Sequence, residues 1–146
     1  MSRGFLVEED WLDSVYEALA VNDIDLFLSA FSQTARWHIL GHRSGLPFSG
    51  TRVGHAEIRD LIRMIYADFR MRDFFVEDII VNERSAAVRW SAVSTSIATG
   101  QQAQVEVFDH IVFEERQILS LTQFFDTASV AASAGIIKPV KLGSAG

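Results

Sequence analysis

The hydrophobic periodicity of this chain changes character once, near its middle, and that change limits what it can fold into. Up to Phe69 apolar side chains recur at helical intervals. From Phe74 onward they run in β-branched and aromatic stretches separated by short turns. Helices first and strands afterwards, within 146 residues, predict a single α+β domain. The helices should cover one face of a curved antiparallel sheet.

Three helices are expected in the first half. From Val7 to Val21, the residues Trp11, Leu12, Val15, Tyr16, Ala18 and Leu19 share one face. Asn22 and Asp23 break that pattern, and Asp23 can cap a second, short helix from Ile24 to Phe31. Thr34 to Leu40 reads as a strand, and His42 to Thr51 as a loop punctuated by Gly45, Pro47 and Gly50. The third helix, Gly54 to Phe69, has the clearest amphipathic stripe: Ile58, Leu61, Ile62, Ile65, Tyr66 and Phe69. Four strands follow, over Phe74–Val81, Ala86–Ala98, Ala103–Phe113 and Ile118–Asp126. Their short connections predict an antiparallel meander. The domain is taken as residues 1–132. Residues 133–146, rich in small side chains, read as a flexible C-terminal tail or an arm for a dimer partner.

Composition excludes several functions. Without cysteine there is no disulfide, thiol nucleophile or thiolate metal site. Thirteen Lys and Arg against 19 Asp and Glu give a net charge of −6, so nucleic acid is not an expected partner. No apolar run approaches a membrane span, and Met1 to Asp10 lacks the apolar core of a signal peptide, so no membrane partner and a cytoplasmic location are expected. No dinucleotide or P-loop glycine pattern and no Gly-x-Ser-x-Gly turn occur, so no cofactor and no hydrolase triad are expected. His38, His42, His55 and His110 have no metal-ligand spacing, so no metal site is expected. Eleven Phe and three Trp are many rings for one small domain and suggest an aromatic-lined core or pocket.

The polar residues that stand out are acids among rings. Along Ala103–Phe113 one face carries Val105, Val107, Asp109, Ile111 and Phe113, so Asp109 interrupts an apolar surface. Such an acid must be paired, hydrogen-bonded, or held protonated by burial. The last strand ends in Phe124-Phe125-Asp126. Two carboxyls in aromatic settings can serve acid–base chemistry, or each can be a structural clamp. His38, beside Trp37, is a further proton-transfer candidate. Arg89, in mid-strand, needs an acidic partner or an exposed face, with Asp109 and Asp126 as candidates. The pattern around Trp90 leaves open which face it occupies.

The order of elements resembles the nuclear transport factor 2-like superfamily, in the branch of SnoaL-like polyketide cyclases and ketosteroid-isomerase-like proteins. The local signals are Ala18-Leu19 with Asn22-Asp23, Pro47-Phe48-Ser49-Gly50-Thr51, Phe108-Asp109-His110-Ile111-Val112-Phe113, and Phe124-Phe125-Asp126-Thr127-Ala128. The resemblance implies a cone-shaped α+β barrel around an apolar cavity, in a homodimer. It likens Asp109 to the acid that ketosteroid isomerases keep protonated. The isomerase tyrosine falls near Val15, one residue from Tyr16, and its general base near Ile39, one residue from His38. Asp126 and Arg89 look like two members of the Asp-Arg-Asp set of limonene-epoxide-hydrolase-like enzymes, with Ser91 where the third would be. The acid–base aspartate of the cyclases falls near Gln123.

The first expectation is a protein that binds a small apolar ligand in an enclosed cavity. As an isomerase, cyclase or dehydratase it would use Asp126, Asp109 and His38 for proton transfer, with Trp37, Arg89, Phe124, Tyr16 and Trp90 around the substrate. The alternatives are a non-catalytic ligand-binding or dimerisation module, and an atypical epoxide hydrolase using Asp126 with Arg89.

Overall fold

In the computed structural model, residues 2–138 are described. Helix α1 spans Ser2–Ala20 and buries Leu12, Val15 and Tyr16, the stripe its spacing predicts. Asp23 accepts a hydrogen bond from the Leu26 amide at 3.1 Å and starts α2, Ile24–Ser29, which buries Phe27 and Leu28. This cap satisfies one of the free amides of a helix start. Strand β1, Phe31–Ile39, begins three residues before the expected boundary. Helix α3, Gly54–Asp68, sits on β1 with Ile58, Leu61 and Ile62 inward.

Strand β3 covers Phe69–Val81, β4 Ser85–Ser96, β5 Gln102–Glu114 and β6 Gln117–Phe125. They form the expected antiparallel meander. Strand β3 leaves α3 without a loop: Phe69, the last residue of the helical stripe, is already extended and buried. Between β5 and β6, Glu115 and Arg116 both take the left-handed conformation, with φ of 50° and 57°. A two-residue turn of this hand matches the twist of the strands it joins.

Three elements were not expected. The segment read as a loop holds a short 3₁₀ turn at His42–Ser44 and strand β2, Gly50–Val53. Four residues with polar Thr51 and Arg52 carry too little apolar pattern to announce a strand. Helix α4, Thr127–Ser133, follows β6 directly. Residues 133–138 continue from it, with Ala134 and Ile137 against the core; residues 139–146 of the expected tail lie outside the described residues.

The sheet order is β2-β1-β6-β5-β4-β3. Strand β1 pairs parallel with β6 and antiparallel with β2. The sheet is curved and unclosed, and the helices pack in its concavity. Alternation assigns the two faces. Trp37, Val88, Trp90, Val107, Asp109 and Ile111 point inward, and Arg89, Phe108, His110 and Phe124 outward.

Candidate functional site

Between α3 and the concave face lies a pocket of about 740 Å³, counted with the space at its mouth. The cavity itself, without that open space, is about 90 Å³. Ile62, Ile65 and Tyr66 come from α3, Trp37 from β1, and Phe74 and Trp90 from β3 and β4. Val105, Val107, Gln123 and Phe125 complete the sheet side. Ring packing fixes the wall: Phe74 stacks on Trp90 with centroids 4.6 Å apart, and Phe48 meets Phe125 at 6.1 Å.

Behind this wall Asp109 is 1% exposed. Its Oδ2 accepts from the Tyr16 hydroxyl at 2.5 Å and from the Trp90 indole N–H at 2.8 Å. Three elements, α1, β4 and β5, thus meet at one carboxyl oxygen. Burial pushes the Asp109 carboxyl up to about 6; Tyr16, Trp90 and Gln123 pull it partly back. Gln123 is its cross-strand partner, but Oδ1 has no hydrogen bond among the described residues. Tyr16 is pushed well above the usual phenol range, first by burial and then by the charge and hydrogen bond of Asp109.

A second polar atom is stranded in the pocket wall. Trp37 is 3% exposed, and its indole N–H is shielded from solvent with no acceptor among the described residues. A buried donor in that state costs about 1–3 kcal/mol.

The structure thus brings together four of the residues singled out in the sequence: Tyr16, Trp37, Trp90 and Asp109. On the first helix it is Tyr16, one residue from where the isomerase tyrosine falls, that reaches the acid. The other four lie elsewhere. Asp126 is exposed and caps α4, accepting from the Ser129 amide at 3.1 Å and the Ser129 hydroxyl at 2.5 Å. Those bonds hold its carboxyl below the usual range. His38 points away from the pocket because it alternates with Trp37; its Nδ1 is 2.7 Å from the Thr51 hydroxyl on β2. Arg89 is exposed on the outer face and lies 4.0 Å from Glu77, so it pairs with neither expected acid. Phe124 is 46% exposed on the outer face, opposite Phe108, while Phe125 lines the pocket.

In the sequence Gln123 stands out only as the place near which the cyclase aspartate falls. The signal that could have found it is its register: it stands opposite Asp109, on the same inward face. Ser94, buried in the wall, carried no signal beyond alternation with Trp90.

Chemically, the pocket can exclude water and offer hydrogen bonds. Its ionisable lining group among the described residues is Tyr66, whose hydroxyl faces the Leu19 carbonyl at 3.4 Å and is raised by burial. Among the described residues, no carboxylate or imidazole lines the pocket.

An open, curved sheet packed with helices around a pocket is the nuclear transport factor 2-like α+β cone. The chain belongs to the SnoaL-like domain family, whose model matches residues 12–121. Solved structures agree on the fold. A nuclear transport factor 2-like protein of unknown function from Burkholderia pseudomallei is 24% identical with a TM-score of 0.77, covering 84% of this chain and 92% of that one. One from Burkholderia xenovorans is 16% identical with a TM-score of 0.75, covering 89% and 97%. TerC, co-crystallised with polyporic acid, is 17% identical with a TM-score of 0.74, covering 86% and 96%. No curated protein matches the chain. No helix among the described residues is long and apolar enough to cross a membrane.

Proposed function

We propose that this chain binds a small, largely apolar molecule in the pocket between α3 and the sheet. The observation that carries the reading is the wall itself: among the described residues it is mainly aromatic and aliphatic, with Tyr66, Ser94, Gln123 and the indole of Trp37 as polar points. The co-crystal of TerC with polyporic acid supports it as a case of the same fold taken into crystals with a small aromatic molecule. Titration calorimetry with ethylbenzene tests the reading. Binding is expected in the wild type and at least tenfold weaker in Ser94→Leu, whose added methylenes fill buried space. Equal binding by both proteins, or none by the wild type, refutes it.

A second reading is isomerase-type proton transfer, favoured by the Asp109 carboxyl at about 6. With Asp126 and His38 outside the pocket, no base among the described residues completes that reaction, and binding is the better reading. Acetophenone in deuterium oxide separates the two. Methyl deuteration that Asp109→Asn abolishes would establish catalysis.

The homodimer that the resemblance implies is proposed to form through the outer face of the sheet. Phe108 and Phe124 face each other across β5 and β6 there, 45% and 46% exposed. Phe124→Glu should convert a dimer to monomer in sedimentation equilibrium; a wild-type monomer refutes it.

A further inference from the structure

We propose that Trp37 and Gln123 form a subsite that takes the neutral carbonyl-type oxygen of an otherwise apolar ring compound. The proposal rests on the pocket being the ligand site. Trp37 cannot turn to find an acceptor of its own. It is held against Phe31 and Phe27, with centroids 6.2 Å and 5.8 Å away. Burial alone does not strand an indole in this protein, because Trp90 gives its N–H to Asp109. The Trp37 N–H has no acceptor among the described residues, and the side chain that carries it lines the cavity.

Gln123 stands on the neighbouring strand and on the same face. Trp37 pairs with Leu121, and Gln123 is two residues further along β6. A primary amide carries donors at one end and an acceptor at the other. The Gln123 amide has two N–H groups, so it can offer one to a ligand oxygen beside the indole while the other is directed toward Asp109 across the β5–β6 pair. Among the described residues, neither Lys nor Arg lines the pocket. A carboxylate or phosphate would enter without a counter-charge, which is costly in apolar surroundings. A hydrocarbon would leave the indole N–H unpaired. A neutral acceptor, such as a ring ketone, is the chemistry that satisfies the wall.

Acetophenone and ethylbenzene test this, since they differ mainly in the carbonyl oxygen. In ¹⁵N-labelled protein, acetophenone should move the Trp37 indole N–H resonance downfield, and ethylbenzene should not. Trp37→Phe identifies that resonance by its loss. The same variant should weaken acetophenone about tenfold and change ethylbenzene by no more than about twofold, the effect of one hydrogen bond. Gln123→Leu should change the two probes in the same sense. If both probes bind the wild type but acetophenone moves no indole resonance, the subsite is wrong and the pocket reading stands. Equal weakening of both probes by Trp37→Phe also overturns the subsite, leaving Trp37 as wall. If neither probe binds the wild type, the pocket reading falls and the subsite with it.

Discussion

Replacing Asp109 by Asn should make the protein more stable at neutral pH. The carboxyl is raised from 3.8 to about 6, chiefly by burial. Below pH 3.8 it is neutral in both folded and unfolded chains, and its environment costs nothing. Between 3.8 and about 6 the unfolded chain has lost the proton and the folded chain keeps it, so stability falls as pH rises. Above about 6 the loss is complete and amounts to about 3 kcal/mol. Asparagine is nearly isosteric and cannot ionise. Its carbonyl can accept from Tyr16 and Trp90, and its amide then occupies the side where Oδ1 has no partner. The assay is urea unfolding of wild type and variant from pH 4 to 8, read as the difference between the two. That difference should be near zero at the acid end and favour Asn by about 3 kcal/mol at pH 8, or about 6–12 °C in Tm for a chain this size. A flat difference would show that Asp109 does not titrate there. A difference growing in favour of the wild type with pH would show that Tyr16 and Trp90 stabilise the anion more than burial penalises it. Either result refutes the reasoning.

Tyr16→Phe removes a bond to Asp109 while keeping the ring, and should cost about 1–3 kcal/mol at pH 8 in the same unfolding assay. It should also move the titration of Asp109 upward, because a bond favouring the anion is gone. Asp126→Ala should lower stability by about 1 kcal/mol through loss of the α4 cap and leave ethylbenzene affinity unchanged in calorimetry. Arg116→Gly should raise stability by about 0.5–1 kcal/mol, because glycine adopts the left-handed φ of 57° without strain. The loss of its 3.8 Å approach to Glu8 on the surface subtracts little, and thermal unfolding reads the net effect.

The features legible in the sequence were those set by periodicity over many residues. The α3 stripe, the meander and the inward placement of Asp109 all rest on patterns that burial enforces. What escaped was set by contacts between distant segments or by a few residues only. Trp90 was ambiguous because its strand alternates Ala and Ser with larger residues, so neither face looked more apolar; the packing of Phe74 and the bond to Asp109 decide it. Asp126 looked like an acid among rings because Phe124 and Phe125 precede it, yet the two rings point to opposite faces and the acid begins a helix. His38 shows the same limit, since one step along a strand exchanges the pocket for the far side.

The parallel pairing of β1 with β6 bears on how the molecule is made. Phe31 lies beside Ile118, so a strand near the start of the chain waits for one near its end. On a ribosome, α1, α2 and β1 emerge first, with the inner edge of β1 bare until β6 has left the exit tunnel. The antiparallel strands β3 to β5 can meanwhile zip up one after another through short turns. Joining β1 to β6 closes a long loop and should come late. Until then the unpaired edge of β1 is open to other chains, which makes the nascent protein prone to aggregate until β6 has emerged.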